Sequence, residues 1–142
     1  MERFLRGFMK EFFLFGVGGI LYNYIELAWR GYTHWSMFLC GGLCFVLIGL
    51  INNLFSYEME MWKQMFISSV YVTILELIFG IIFNINLGMN VWDYSDLPFN
   101  LFGQICLPFM IAWFLLSAVA IVADDYIRYW LFAEDKPKYK WL

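Results

Sequence analysis

Four long apolar runs alternate with short polar intervals along the chain. The runs cover residues 12–29, 35–55, 64–87 (uninterrupted as far as Phe83) and 101–123. A helix needs about 20 mostly apolar residues to cross a bilayer, so each run predicts one transmembrane helix. Residues 30–34, 56–63 and 84–100 carry the punctuation between them. The last interval holds Gly88, Pro98 and several Asn and Asp residues, and reads as a loop or a broken helix. The expected fold is all-α: a polytopic membrane protein, a bundle of about four transmembrane helices with an amphipathic N-terminal segment. Residues 1–142 are expected to form a single membrane domain.

Basic residues orient such a bundle. With four spans, Arg3, Arg6, Lys10, Lys63, Arg128, Lys136, Lys138 and Lys140 fall on one side, and Arg30 alone on the other. That bias puts both termini and the second loop in the cytoplasm, with the chain multi-pass in the plasma membrane. Phe4, Leu5, Phe8 and Met9 alternate with Arg3, Arg6 and Lys10, a rhythm suited to an interfacial helix feeding the first span. No small-x-small cleavage site ends the first run, so it reads as a retained span. Lys136, Lys138, Lys140 and Trp141 suit either contact with anionic headgroups or a solvated tail that serves orientation only.

Composition narrows the function classes. Of 142 residues, 63% are hydrophobic and only 15% charged, against roughly 25% charged in soluble domains. The length leaves no room for a membrane bundle plus a large soluble domain. No G-x-x-x-x-G-K-[ST] loop is present, so nucleotide hydrolysis by that route belongs to another chain. Nothing points to nucleic acid: the basic residues sit at the ends, where a membrane surface is the partner. Cys40, Cys44 and Cys106 lie inside apolar runs without further ligands nearby and read as packing residues. No metal, cofactor or catalytic residue is assigned.

The informative residues are polar ones inside the runs. Glu26 and Glu76 each cost roughly 2.5–3.5 kcal/mol to insert. Gly19, Tyr22, Asn23, Glu26 and Arg30 share a helix face, and Arg30 is one turn beyond Glu26. Ser69, Thr73, Glu76, Gly80 and Asn84 form a stripe of small and polar residues that must face protein or water. At about 1.5 Å per residue, Glu26 lies roughly 20 Å and Glu76 roughly 18 Å into their runs, so both fall in the outer half. The third loop approaches from outside with Trp92, Asp93, Tyr94, Ser95 and Asn100. Asn100, Gln104 and Pro108 then follow at helical spacing.

The candidate ligand-binding residues are therefore Glu26, Glu76, Asn23, Thr73, Trp92, Asp93, Tyr94, Ser95, Asn100 and Gln104. They read either as a site for a small polar or ionic ligand or a lipid headgroup, or as a hydrogen-bond network that fixes helix register. Trp92 and Tyr94 also suit interfacial anchoring. His34 suits a surface role at a helix end.

The run Trp92-Asp93-Tyr94-Ser95, then Pro98-Phe99-Asn100-Leu101, Gly103, Ile105-Cys106-Leu107 and Trp113, resembles the putative ABC-transporter type IV family, as does Glu76 followed by Gly80. The likeness covers most of the chain and implies a membrane fold and a link to transport, without a substrate. Three functions remain open. The first is a transport or permease-type component. Because four helices enclose little volume, it implies a homo-oligomer or a partner membrane subunit, with a separate ATPase chain. The second is a membrane scaffold or regulatory subunit whose polar cluster is structural. The third is a membrane-embedded enzyme using Glu26, Glu76 and Asp93 on a lipid-borne substrate; no Ser–His, Cys–His or metal-ligand spacing supports it.

Overall fold

A computed structural model describes residues 1–51 and 59–141. The end of the second apolar run and the start of the second loop, residues 52–58, lie outside the described residues. The expected all-α architecture is what forms: among the described residues there are four α-helices and one very small sheet.

Helix α1, Glu2–Arg30, is a single helix of 29 residues. No proline interrupts it, so the amphipathic segment and the first apolar run form one continuous rod. At 1.5 Å per residue it is about 43 Å long, longer than the roughly 30 Å hydrocarbon layer. Gly31 ends it at φ 78°, donating its N–H to the Leu27 carbonyl. Helix α2, Trp35–Gly49, is only 15 residues long. His34 caps it, its side chain accepting from the Ser36 N–H.

The two helices pack closely through glycines. A Cβ at Gly18 would collide with Phe45, one at Gly41 with Tyr22, and one at Gly42 with the Phe15 carbonyl oxygen. Small residues of this kind let helices approach in lipid.

Helix α3, Met61–Phe79, runs on into a π-helical segment, Gly80–Asn86. The wider turns start where Gly80 lies against Gln104, leaving no room for a side chain. Residues 87–99 form a loop. Strands β1, Asn100–Leu101, and β2, Ile105–Cys106, then pair antiparallel, Asn100 opposite Cys106.

Helix α4, Leu107–Phe132, follows with Pro108 in its first turn. The helical spacing expected for Asn100, Gln104 and Pro108 is therefore not realised before residue 107. Phe102 at φ 54° and Gly103 at φ 71° turn the chain left-handed there, which no α-helix tolerates. At the other end α4 runs nine residues beyond the apolar stretch, because Asp124 and Arg128 are paired inside the bundle.

Residues Glu2–Arg30, Met61–Asn86 and Leu107–Phe132 are long and apolar enough to cross a membrane, and α2 is a shorter apolar helix. Polarity is inverted relative to a soluble bundle. Glu26, Gln64, Ser68, Glu76, Asp124 and Arg128 are buried, whereas Phe8, Phe12, Ile20, Ile74, Leu115 and Val119 face outward. This is a membrane protein, with an apolar exterior for lipid and its polar groups turned inside.

Helix α1 packs on α2, α3 packs on α4, and α2 joins the two pairs. Helices α1 and α4 meet at the end of the bundle that carries both termini, where Phe13 and Phe132 touch edge to face at 5.8 Å. They meet again through the Tyr22 and Trp113 rings, 5.9 Å apart.

Candidate functional site

The loop block is largely a self-contained turn structure. Asp93 accepts from the Ser95 N–H at 2.9 Å and from the Ser95 hydroxyl. Those bonds hold its carboxyl below the usual aspartate range. Asn100 donates to the carbonyls of Ser95 and Leu97 at 3.2 and 2.9 Å, and accepts from the Gly103 N–H at 3.1 Å. Tyr94 closes the turn, its N–H donating to the Gly103 carbonyl at 2.7 Å. Asp93, Ser95 and Asn100 thus satisfy their own loop.

Trp92 and Gln104 sit deeper. The Trp92 indole, 7% exposed, donates to the Gln104 carbonyl at 2.9 Å, so it is a core residue. The Gln104 side chain accepts from Asn84 at 2.8 Å, and Asn84 accepts from the Val91 N–H at 2.7 Å. The π segment places Asn84 to make both bonds.

Glu26 is neutralised locally. Arg30, one turn away, donates to it at 3.1 Å and to the Val91 carbonyl at 2.9 Å. The Thr33 hydroxyl lies 2.9 Å from Glu26 and 3.0 Å from the Asn23 side-chain oxygen. Asn23 and Glu26 therefore tie the end of α1 to the turn that follows it. Thr73 bonds back to the Ser69 carbonyl of its own helix at 2.7 Å, while Ser69 donates to the Met110 carbonyl at 2.8 Å. Thr73 and Ser69 thus act in helix packing.

Glu76 is held differently. The Tyr94 hydroxyl donates to one carboxylate oxygen at 2.6 Å, and the Trp113 indole to the other at 3.1 Å. Tyr94 is braced by Phe109, stacked at 4.6 Å. Burial, then the nearby Glu76 charge, pushes the Tyr94 phenol well above its ordinary range and keeps it a donor. Among the described residues Glu76 has no ion-pair partner.

Glu76 also lines a cavity of about 430 Å³ in the middle of the bundle. Helices α1 and α4 flank the cavity, with α2 and α3 behind it. Tyr22, Cys40, Trp113 and Ser117 share the wall with Glu76, and the remainder is overwhelmingly apolar. Leu21, Ile25 and Val119 line it while remaining 42%, 45% and 67% exposed, so it opens sideways between α1 and α4. Glu26 is not part of this wall. The single outer pocket expected around both carboxylates is thus resolved into separate networks, one at Glu26, one at Glu76 and one within the loop.

Two further features escaped the sequence reading. Trp113 stood within the family block without a role, and it proves to be a Glu76 partner. At the end bearing the termini, Arg128 donates to both Glu11 oxygens at 2.9 and 3.0 Å and to Asp124 at 2.9 Å. Lys10 adds a 2.5 Å bond to Glu134. The Asp124–Arg128 spacing was a visible sign; Glu11, 117 residues from Arg128, carried none. Among the described residues no group of His, Cys, Asp and Glu is placed to hold a metal.

No solved structure matches the chain. The family model described as "Putative ABC-transporter type IV" matches residues 2–138, nearly the whole length, and the chain belongs to that family.

Proposed function

We propose that this protein is a transport or permease-type component that receives a small ligand in the cavity between α1 and α4. One observation carries this reading: Glu76, a buried carboxylate with no counter-cation among the described residues, lines a largely apolar chamber open to the bilayer side. Ionisable groups kept inside a membrane bundle mark binding sites and pathways. A carboxylate has about four acceptor positions, and Tyr94 and Trp113 use two of them. The volume falls within the roughly 300–1,000 Å³ of small-molecule pockets.

The family name supports a place in a transport system. The chain has no nucleotide loop, so ATP hydrolysis comes from a separate chain, and a second copy or another membrane subunit completes any pathway. In this reading the chain is multi-pass in the plasma membrane with both termini cytoplasmic, as the basic residues favour.

The scaffold reading draws on the Glu26 and loop networks, which are bonded within themselves and contribute no residue to the cavity wall. It describes that part of the molecule well and leaves Glu76 without a purpose. The test is complementation. Cells lacking this chain receive wild type, Glu76→Gln or the cavity-filling Ala120→Trp, and their small-molecule content is compared by untargeted mass spectrometry. Both variants should reach the membrane and fail to restore the compounds that wild type restores. Full restoration by both would discard the cavity as the working site.

A further inference from the structure

Resting on the cavity reading above, we infer that the ligand is a free amphiphilic organic cation, with an ammonium-type head at Glu76 and an apolar body along α1 and α4. The geometry of the wall gives the reasons. Its one carboxylate faces no lysine or arginine among the described residues. A carboxylate in low dielectric without a partner is strongly disfavoured, so a cation entering there gains what Arg30 already supplies at Glu26. Tyr22 and Trp113, two rings that line the cavity together with Glu76, lie 5.9 Å apart. Aromatic faces beside a carboxylate are the chemistry that recognises alkylated ammonium groups.

The remaining wall is mostly apolar, Val72, Leu116 and Ala120 among it. Its few hydroxyls are those of Tyr22, Tyr24 and Ser117, of which Ser117 already donates to the Trp113 carbonyl, a thin set for a sugar or a peptide. An anion would meet the Glu76 carboxylate and no lysine or arginine among the lining residues, and is excluded by charge.

Depth decides between a free amine and a lipid headgroup. Within the Met61–Asn86 helix Glu76 is ten residues from the nearer end, at most about 15 Å at the α-helical rise, which the π-helical Gly80–Asn86 falls short of. A headgroup anchored at the interface does not reach that depth without dragging its phosphate into hydrocarbon.

The experiment uses benzyltrimethylammonium and its uncharged carbon isostere, neopentylbenzene, binding to the full chain in phosphatidylglycerol nanodiscs by equilibrium dialysis. Both are referenced to empty nanodiscs to remove partitioning. The cation should bind wild type at least about tenfold more tightly than the isostere. In Glu76→Gln the preference should collapse to near unity. The wild-type comparison needs no variant and stands even if Glu76→Gln folds poorly.

Equal binding of the two probes to wild type, or a preference that survives in Glu76→Gln, overturns the cation assignment and leaves the cavity reading intact. Absence of binding by either probe, together with an Ala120→Trp variant that still restores cells fully, overturns both. In phosphatidylcholine nanodiscs the ratio of cation binding between wild type and Glu76→Gln should equal that in phosphatidylglycerol, since the surface charge of the lipid cancels from that ratio. A several-fold fall in the ratio there would mean that a lipid ammonium occupies the site, and the free-amine assignment would fail.

Discussion

Glu26 and Glu76 lie on helices that run in the same direction, yet the bundle treats them oppositely. Glu26 has a cation one turn away, a hydroxyl from the following turn, and no place on the cavity wall. Glu76 has two neutral donors and an apolar chamber in front of it. One carboxylate is closed into its local structure, and the other keeps acceptor capacity for something that arrives from outside. The lesson is that an acidic residue in a span becomes informative through its counter-charge. The pair at Glu26 explains itself, whereas the donors at Glu76 orient a charge without cancelling it.

Five substitutions probe this contrast. The largest effect belongs to a reference pair at the far end of the bundle. Arg128→Met strands Asp124, 0% exposed, and Glu11 without their shared cation. It should destabilise the protein by about 3–5 kcal/mol, read as a large drop in thermal midpoint in detergent. Arg30→Met should cost about 2 kcal/mol, because one charged bond to Glu26 and one to the Val91 carbonyl disappear at a less buried site. Adding Glu26→Leu to Arg30→Met should recover much of that loss, as expected where a buried pair is replaced rather than broken.

Glu76→Gln should cost only about 1 kcal/mol, since the amide oxygen still accepts from one of its two donors. The contrast would be lost if this variant proved less stable than Arg30→Met.

The smallest effect separates the loop from both carboxylates. Hydrogen bonds from Ser95 favour the ionised form of Asp93 and lower its pKa below the ordinary 3.8. Their contribution is therefore present above that ordinary value and is lost as pH falls through the lowered one. The amide resonance of Ser95 should titrate with a midpoint below 3.8, and Asp93→Asn should abolish the titration. A midpoint above that value would mean that the turn is not held as described.

Much of the bundle was legible because lipid imposes a blunt rule. Apolar runs near twenty residues become helices, and the Glu26–Arg30 pair follows from helical spacing alone. Residues 101–106 misled for a physical reason. Leu101, Phe102, Ile105 and Cys106 are apolar enough to extend the fourth run, but hydropathy does not register the positive φ at Phe102 and Gly103.

Asp93, Ser95 and Asn100 looked like donors and acceptors offered to a ligand. Those side chains are short and close in sequence: Asp93 and Asn100 bond to neighbouring backbone, and the Ser95 hydroxyl donates to Asp93. The Glu76–Tyr94 bond spans 18 residues and the Glu76–Trp113 bond 37, so neither carries a periodic signature. The cavity belongs to no single stretch of sequence, since its wall is drawn from all four helices.

Infrared difference spectroscopy of the reconstituted protein, with and without benzyltrimethylammonium, tests the role of Glu76 most directly. A carboxylate band should change when the cation is added, persist in Glu26→Gln and vanish in Glu76→Gln. A band change that survives in Glu76→Gln, or that disappears only in Glu26→Gln, would contradict the assignment of the ligand-facing charge to Glu76.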